Sequence, residues 1–108
     1  MLYHLVSQFY FDGQPAGEPY APASLFEEGF IHLSATPTQV TWVANAFYAA
    51  VPDLVVLVID ENLLAAPVQW DETPDGRFPH LYGPLDREAI VAMLALDRGH
   101  DGRLVYLG

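Results

Sequence analysis

The chain predicts an α+β fold, dominated by sheet and carrying one main helix over residues 37–51. Three observations support this. Thr36-Pro-Thr-Gln39 is a strong helix start, with a capping Thr, Pro at the first helical position and Gln three residues after the cap. Val40, Val43, Ala44, Phe47 and Val51 then recur at helical spacing on one face, and Pro52 stops the run. Leu54 to Ile59 is an unbroken run of β-branched residues and leucine, the pattern of a central strand covered on both faces.

The remaining elements follow in order. Leu2 to Ser7 reads as a first strand. Gly13, Pro15, Gly17, Pro19 and Pro22 make Phe11 to Pro22 an irregular connection. Ser24-Leu-Phe-Glu27 has capping-box spacing and Gly29 supplies a stop, so one short helical turn is expected there. Phe30 to Ser34 reads as a second strand and Val68 to Asp71 as a short one. Thr73-Pro-Asp-Gly76 is a turn by composition, before a strand over Phe78 to Tyr82 that Gly83-Pro84 ends. Asp86 to Ala89 reads as a helical turn. The run Ile90, Val91, Met93, Leu94, Leu96 is compatible with helix or strand; the turn Arg98-Gly-His-Asp-Gly102 before Leu104 to Leu107 favours two antiparallel strands.

At 108 residues the chain is expected to form a single domain, 1–108. Its 52% hydrophobic and 17% charged content describe a folded globule. Fourteen acidic residues against four arginines and no lysine give a net charge of −10, which disfavours nucleic acid and anionic membranes as partners. A small-molecule ligand is the partner this composition allows, including a small anion held by one arginine and backbone N–H groups. The absence of cysteine removes thiolate chemistry and Cys-based zinc sites. No signal peptide is visible, and the longest apolar run is too short to span a bilayer, so a cytoplasmic location is expected.

Three histidines sit in apolar strand-like segments: His4, His32 and His80. Alternation puts Phe30, His32 and Ser34 on one strand face, and Phe78, His80 and Tyr82 on another. Singly, each histidine reads as a satisfied core group. Three buried imidazoles need many partners, which brings a polar site level with that reading. The segment Phe78-Pro-His-Leu-Tyr-Gly-Pro84 is rigid and suits a strand end that presents His80 and Tyr82 to a cleft. Ser34 lies in no nucleophile elbow and reads as a hydroxyl that orients a histidine or touches ligand. A metal-dependent hydrolase using the three histidines as ligands, with Glu28 or Asp71 as base, is an alternative. No ligand-spacing motif supports it, so no metal is expected. Trp42, Trp70, Tyr48, Phe26 and Phe78 suit the core better than an aromatic pocket.

At Tyr3-His4, Glu27-Glu-Gly-Phe-Ile-His-Leu-Ser34, Val43-Ala-Asn45 with Phe47-Tyr48, and Phe78-Pro-His-Leu-Tyr-Gly-Pro84, the chain resembles the bacterial domain of unknown function 952 family. Where that family tends to carry a helix, this chain has Asp12-Gly-Gln-Pro-Ala-Gly17. The family looks like a small relative of the ADP-ribosyltransferase superfamily, especially its RNA 2′-phosphotransferase branch. The resemblance implies a split mixed or antiparallel sheet of ADP-ribosyltransferase-like type. It also implies that His4 and His32 face the ribose and nicotinamide side of an NAD-like ligand, with Ser34 nearby and the third element near His80. NAD is therefore an expected substrate or ligand, and no cofactor is assigned.

The resulting expectation is a His-rich cleft that binds a nucleotide-like ligand: NAD, ADP-ribose or a phosphorylated nucleoside. His32 and His80 would be its catalytic acid and base. His4, Ser34, Tyr82, Tyr3 and Asn45 would bind ligand. The reaction would be ribosyl or phosphoryl transfer or hydrolysis, and the alternative is a non-catalytic module that binds a small molecule with the same residues.

Overall fold

Leu54–Ile59 is the central strand of a three-stranded antiparallel sheet in the computed structural model, which describes residues 1–108. We label the strands in chain order: β1 (Leu2–Ser7), β2 (Ile31–His32), β3 (Leu54–Ile59), β4 (Val68–Thr73), β5 (Gly76–Leu81), β6 (Ile90–Ala95), β7 (Asp97–Arg98) and β8 (Leu104–Val105). The helices are α1 (Gln8–Asp12), α2 (Ala23–Glu28) and α3 (Pro37–Phe47). One sheet has the order β1-β3-β6, a second β2-β5-β4, and β7 pairs with β8 in a small hairpin. All named pairs are antiparallel.

The first two sheets meet at a seam. Tyr3 and Ser34 exchange backbone hydrogen bonds, Tyr3 N–H to Ser34 O at 2.9 Å and Ser34 N–H to Tyr3 O at 2.7 Å. This bridge sets β1 beside the chain that leaves β2. It brings together two segments that carry histidines.

Strand alternation sorts the core into two layers. Leu2, Val6, Val55, Leu57 and Ile59 face one side, where they meet Phe11, Tyr20, Ile31, Leu81 and Leu85. Leu5, Leu54 and Val56 face the other, against Val40 and Ala44 of α3 and Leu104 and Tyr106 of the C-terminal segment. Fully burying a side chain such as Leu57 or Ile59 contributes roughly 1.5–3 kcal/mol. β3 is buried on both faces, which explains its unbroken apolar sequence.

Helix α3 begins as expected. Thr36 Oγ1 accepts from Gln39 N–H at 3.1 Å, and Pro37 occupies the first turn. The Gln39 side chain accepts from Ala35 N–H at 2.7 Å and donates to Arg77 O at 3.1 Å, which ties the helix start to β5. The helix ends at Phe47 rather than at residue 51. Tyr48 leaves helical geometry (φ −126°), and Val51, as the residue before Pro52, is disfavoured there as well.

Other expectations shift at their edges. Ser24 lies inside α2 instead of capping it; Pro22 holds the cap position, and the Tyr10 hydroxyl accepts from Ala23 N–H at 3.0 Å. Gly29 does end α2, in the left-handed region (φ +88°). Helix α1 over Gln8–Asp12 is not among the expected elements. There, Asp53 from the far end of β3 accepts from Phe9 N–H and the Ser7 hydroxyl, both at 2.8 Å, and these bonds hold its carboxyl below the usual range. Ile90–Ala95 is strand and pairs with β3, so the C-terminal hairpin is confined to β7 and β8. No helix is long and apolar enough to cross a membrane.

Candidate functional site

A cleft of about 400 Å³ opens on the α3 side of the seam, in the range of small-molecule sites. Tyr3 and Leu5 of β1 line it together with Val43, Phe47 and Tyr48 from the end of α3. The opposite wall is His32, Leu33 and Ser34, then Phe78 and His80 of β5, with Thr73 and Asp75 from the β4–β5 turn.

The two histidines arrive there through strand register. β2 pairs with β5 so that His32 lies directly opposite His80, on the same face. Their ring centroids are 5.2 Å apart at an interplanar angle of 80°. The β4–β5 hairpin turns at Pro74-Asp75, with the Thr73 hydroxyl donating to Gly76 O at 2.7 Å. That turn places Gln69 opposite His80 and Asp71 opposite Phe78, which sets Asp71 diagonally beside the imidazole.

Each histidine has a carboxylate. His80 Nδ1 donates to Asp71 Oδ2 at 2.8 Å, and the Tyr82 hydroxyl donates to the same oxygen. Gln69 donates to Asp71 Oδ1 at 2.9 Å. The Tyr82 bond first, and the His80 bond second, hold the Asp71 carboxyl below its usual range; the same contact pushes the Tyr82 phenol up. His32 Nε2 donates to Glu28 of α2, at 3.1 and 3.2 Å from its two oxygens. His80 is only 4% exposed, and Phe30 stacks on its ring at 4.1 Å and 16°.

The residues also differ in what they leave free. With Asp71 ionised and Nδ1 carrying the proton, His80 Nε2 is a lone pair without a protein partner. Ser34 is 5% exposed, and its hydroxyl has no protein partner either. No buried side-chain polar atom is left unsatisfied, so both atoms retain access to the cleft. Chemically, the arrangement offers a base held in one tautomer, a half-exposed second imidazole, and a hydroxyl over an aromatic floor.

Not every expected site residue gathers here. Tyr3, His32, Ser34 and His80 line the cleft. Tyr82 stands outside it, behind Asp71 and against Phe30, where it supports His80 instead of lining the cleft. His4 faces the opposite side of β1, because Tyr3 and Leu5 take the cleft side. Its Nδ1 donates to His32 O at 2.7 Å, and its Nε2 accepts from the Tyr20 hydroxyl at 3.2 Å. Desolvation there lowers its pKa from 6.5 to about 4, and burial pushes the Tyr20 phenol up. His4 is thus a structural pin across the seam. Asn45 is also structural: its amide donates to Leu104 O at 2.8 Å and accepts from Leu104 N–H at 2.9 Å, docking β8 on α3. Three converging histidines, as a metal site would need, are not formed, and three or more His, Cys, Asp or Glu in metal-holding range occur nowhere in the chain.

Asp71 and Phe30 carry more of the site than the sequence suggested. A two-residue β4–β5 turn, read from Thr73-Pro-Asp-Gly76, is the signal that would have paired Asp71 with His80. The aromatic assignment also shifts: Tyr48 and Phe78 line the cleft, whereas Trp42, Trp70 and Phe26 are exposed and not core.

Solved structures similar to this chain belong to protein CC0527 from Caulobacter crescentus. Its crystal structure superposes with a TM-score of 0.80 at 30% identity, covering 95% of this chain and 91% of that one. Its solution NMR structure gives 0.78 at 31%, covering 99% and 92%. No protein with a curated functional description matches this chain at a significant level. The family model described as a protein of unknown function (DUF952) matches residues 8–93, most of the chain, and the protein belongs to that family.

Proposed function

We propose that this protein is a small acid–base enzyme acting at the ribosyl centre of a nucleoside-type ligand, the part shared by NAD, ADP-ribose and phosphorylated nucleosides. The observation that carries this is His80: a buried imidazole fixed by Asp71 and Phe30, with its free nitrogen on a cleft. In the proposed step, His80 Nε2 takes the proton from a water or hydroxyl as its oxygen bonds to the ribosyl carbon. The bond from that carbon to the leaving group breaks, and the electron pair departs with the leaving group. His32, hydrogen-bonded to Glu28, supplies the leaving group's proton. Ser34 and Tyr3 would bind the sugar.

The finer fold assignment, an ADP-ribosyltransferase-like split sheet related to the RNA 2′-phosphotransferases, belongs to the same proposal. Its support is the bridged seam at Tyr3 and Ser34 and the motif resemblance around Tyr3-His4 and His32-Leu-Ser34. A cytoplasmic location is also part of it, in keeping with a chain that has no cysteine.

The test is incubation of the full chain with NAD, ADP-ribose, 2′-phosphorylated nucleotides and unphosphorylated nucleosides, read by mass spectrometry. The expected result is slow conversion of at least one ligand, lowered about 10²–10⁴-fold in His80→Gln with the fold retained. Binding without product would leave the non-catalytic module. Turnover that survives in both His80→Gln and His32→Gln would remove these residues from the chemistry.

A further inference from the structure

The charges around the cleft set a condition on its ligand. None of the four arginines reaches it. Arg77 alternates away from Phe78 and His80 to the opposite face of β5, where it lies over Trp70 and beside Glu72. Arg87 is spent on the carbonyls of Pro15 and Glu18 and on the face of Phe11. Arg98 serves carbonyl oxygens at Gly102 and Ala49, and Arg103 sits in the β7–β8 turn. The chain has no lysine.

The backbone offers little cradle for phosphate. At the start of α3, which follows Ser34, Thr38 is the one residue of the first three whose N–H has no protein partner. Gln39 takes the Ala35 N–H, Thr36 takes the Gln39 N–H, Val40 N–H closes on Thr36 O, and Pro37 has no N–H to offer.

Negative charge, by contrast, borders the cleft on two sides. Asp75 lines it from the hairpin tip, and only its backbone N–H is engaged, by Thr73 Oγ1. Glu28 stands behind His32, and its field adds to burial in pushing up the phenol of Tyr48, a wall residue. The rings of Tyr3, Phe47, Tyr48 and Phe78 also line the cleft, and aromatic rings attract cations. Ser34 and His80, each more than nine-tenths buried, aim unpartnered polar atoms into the same space and call for a ligand with hydrogen-bonding groups.

We infer that the cleft takes its nucleoside-type ligand without phosphate and prefers a base that bears a positive charge. This rests on the ligand class proposed above and narrows it: NAD, ADP-ribose and phosphorylated nucleosides become the disfavoured members. A phosphate would enter a chain of net charge −10 with no cation to meet it.

Calorimetric titration of the full chain at pH 7 tests this with three probes built on one nucleoside frame. Adenosine is neutral, 1-methyladenosine is a cation, and adenosine 5′-monophosphate is an anion. The expected order of affinity is 1-methyladenosine, adenosine, adenosine monophosphate, with about tenfold between the first and the last. Asp75→Asn should narrow that gap, because it removes the carboxylate that borders the cleft at the hairpin tip. Adenosine monophosphate binding as tightly as adenosine, or 1-methyladenosine binding more weakly than adenosine, would overturn this inference and leave the enzyme proposal standing. Failure of all three to bind would remove the nucleoside ligand itself, and this inference with it.

Discussion

His4 and His80 lie on opposite faces of the seam, are about equally buried, and differ in one atom. His4 has both ring nitrogens bonded, one to a carbonyl and one to a phenol, inside a dry core. His80 has one nitrogen bonded to a carboxylate and the other free on a cleft. Burial of a histidine therefore says little about its role. Accounting for its two nitrogens says much more. The surroundings matter too: desolvation keeps the His4 ring neutral at pH 7, whereas the free nitrogen of His80 faces a cleft from which it can take a proton during reaction.

The largest expected difference is between turnover and folding. The roughly 10²–10⁴-fold loss expected in His80→Gln should come with little change in melting temperature. His4→Ala should do the reverse. It removes packing and leaves the His32 carbonyl and Tyr20 hydroxyl without their partner, a loss of about 3 kcal/mol in urea unfolding. If His4→Ala kept full stability, His4 would not be the pin across the seam.

The pH dependence of stability sharpens the same contrast. Folded His4 has its pKa depressed from 6.5 to about 4, so the unfolded chain takes up a proton first as pH falls. The stability tied to neutral His4 is fully present above pH 6.5 and is lost between 6.5 and about 4, amounting to about 3 kcal/mol. Below that window, protonation of Asp53 and Asp71 continues the loss, since their folded values lie under 3.8. His4→Gln should flatten the upper part of the curve, measured by urea unfolding at successive pH values. A slope between pH 6.5 and 4 that persists in His4→Gln would assign it to another group.

Much of this comparison was legible in the sequence, and the reason it was only part is physical. Local signals worked where one segment decides its own structure. Thr36 to Gln39 started α3, Gly29 ended α2, and the run Leu54 to Ile59 marked the central strand. They failed where the deciding partner is remote in sequence. Asp53, at the start of the neighbouring strand, supports the Ser7 cap of α1 by accepting from Phe9 N–H, and Tyr10 rather than Ser24 serves the start of α2. The site divides the same way. Alternation put His32 and Ser34 on one face and His80 on a strand, but which face of β1 looks at them depends on the Tyr3–Ser34 bridge. That bridge turns Tyr3 toward the cleft and His4 away from it.

A smaller effect is expected at Asn45, another residue moved from site to scaffold. Asn45→Ala should cost about 1–2 kcal/mol, because Leu104 loses partners for both its N–H and its C=O. Ligand affinity should be unchanged by calorimetry. A loss of affinity larger than the loss of stability would return Asn45 to the cleft.

The contrast between the two histidines is tested most directly by nitrogen-15 spectra of the imidazole rings, recorded while adenosine is added at pH 7. His80 should show its proton on Nδ1, and its Nε2 resonance should move as ligand fills the cleft, with His32 moving alongside. His4 should also carry its proton on Nδ1 but stay still throughout, sealed between His32 O and Tyr20. Ligand-dependent shifts confined to His4, with His80 unmoved, would contradict the assignment of chemistry to His80 and of structure to His4.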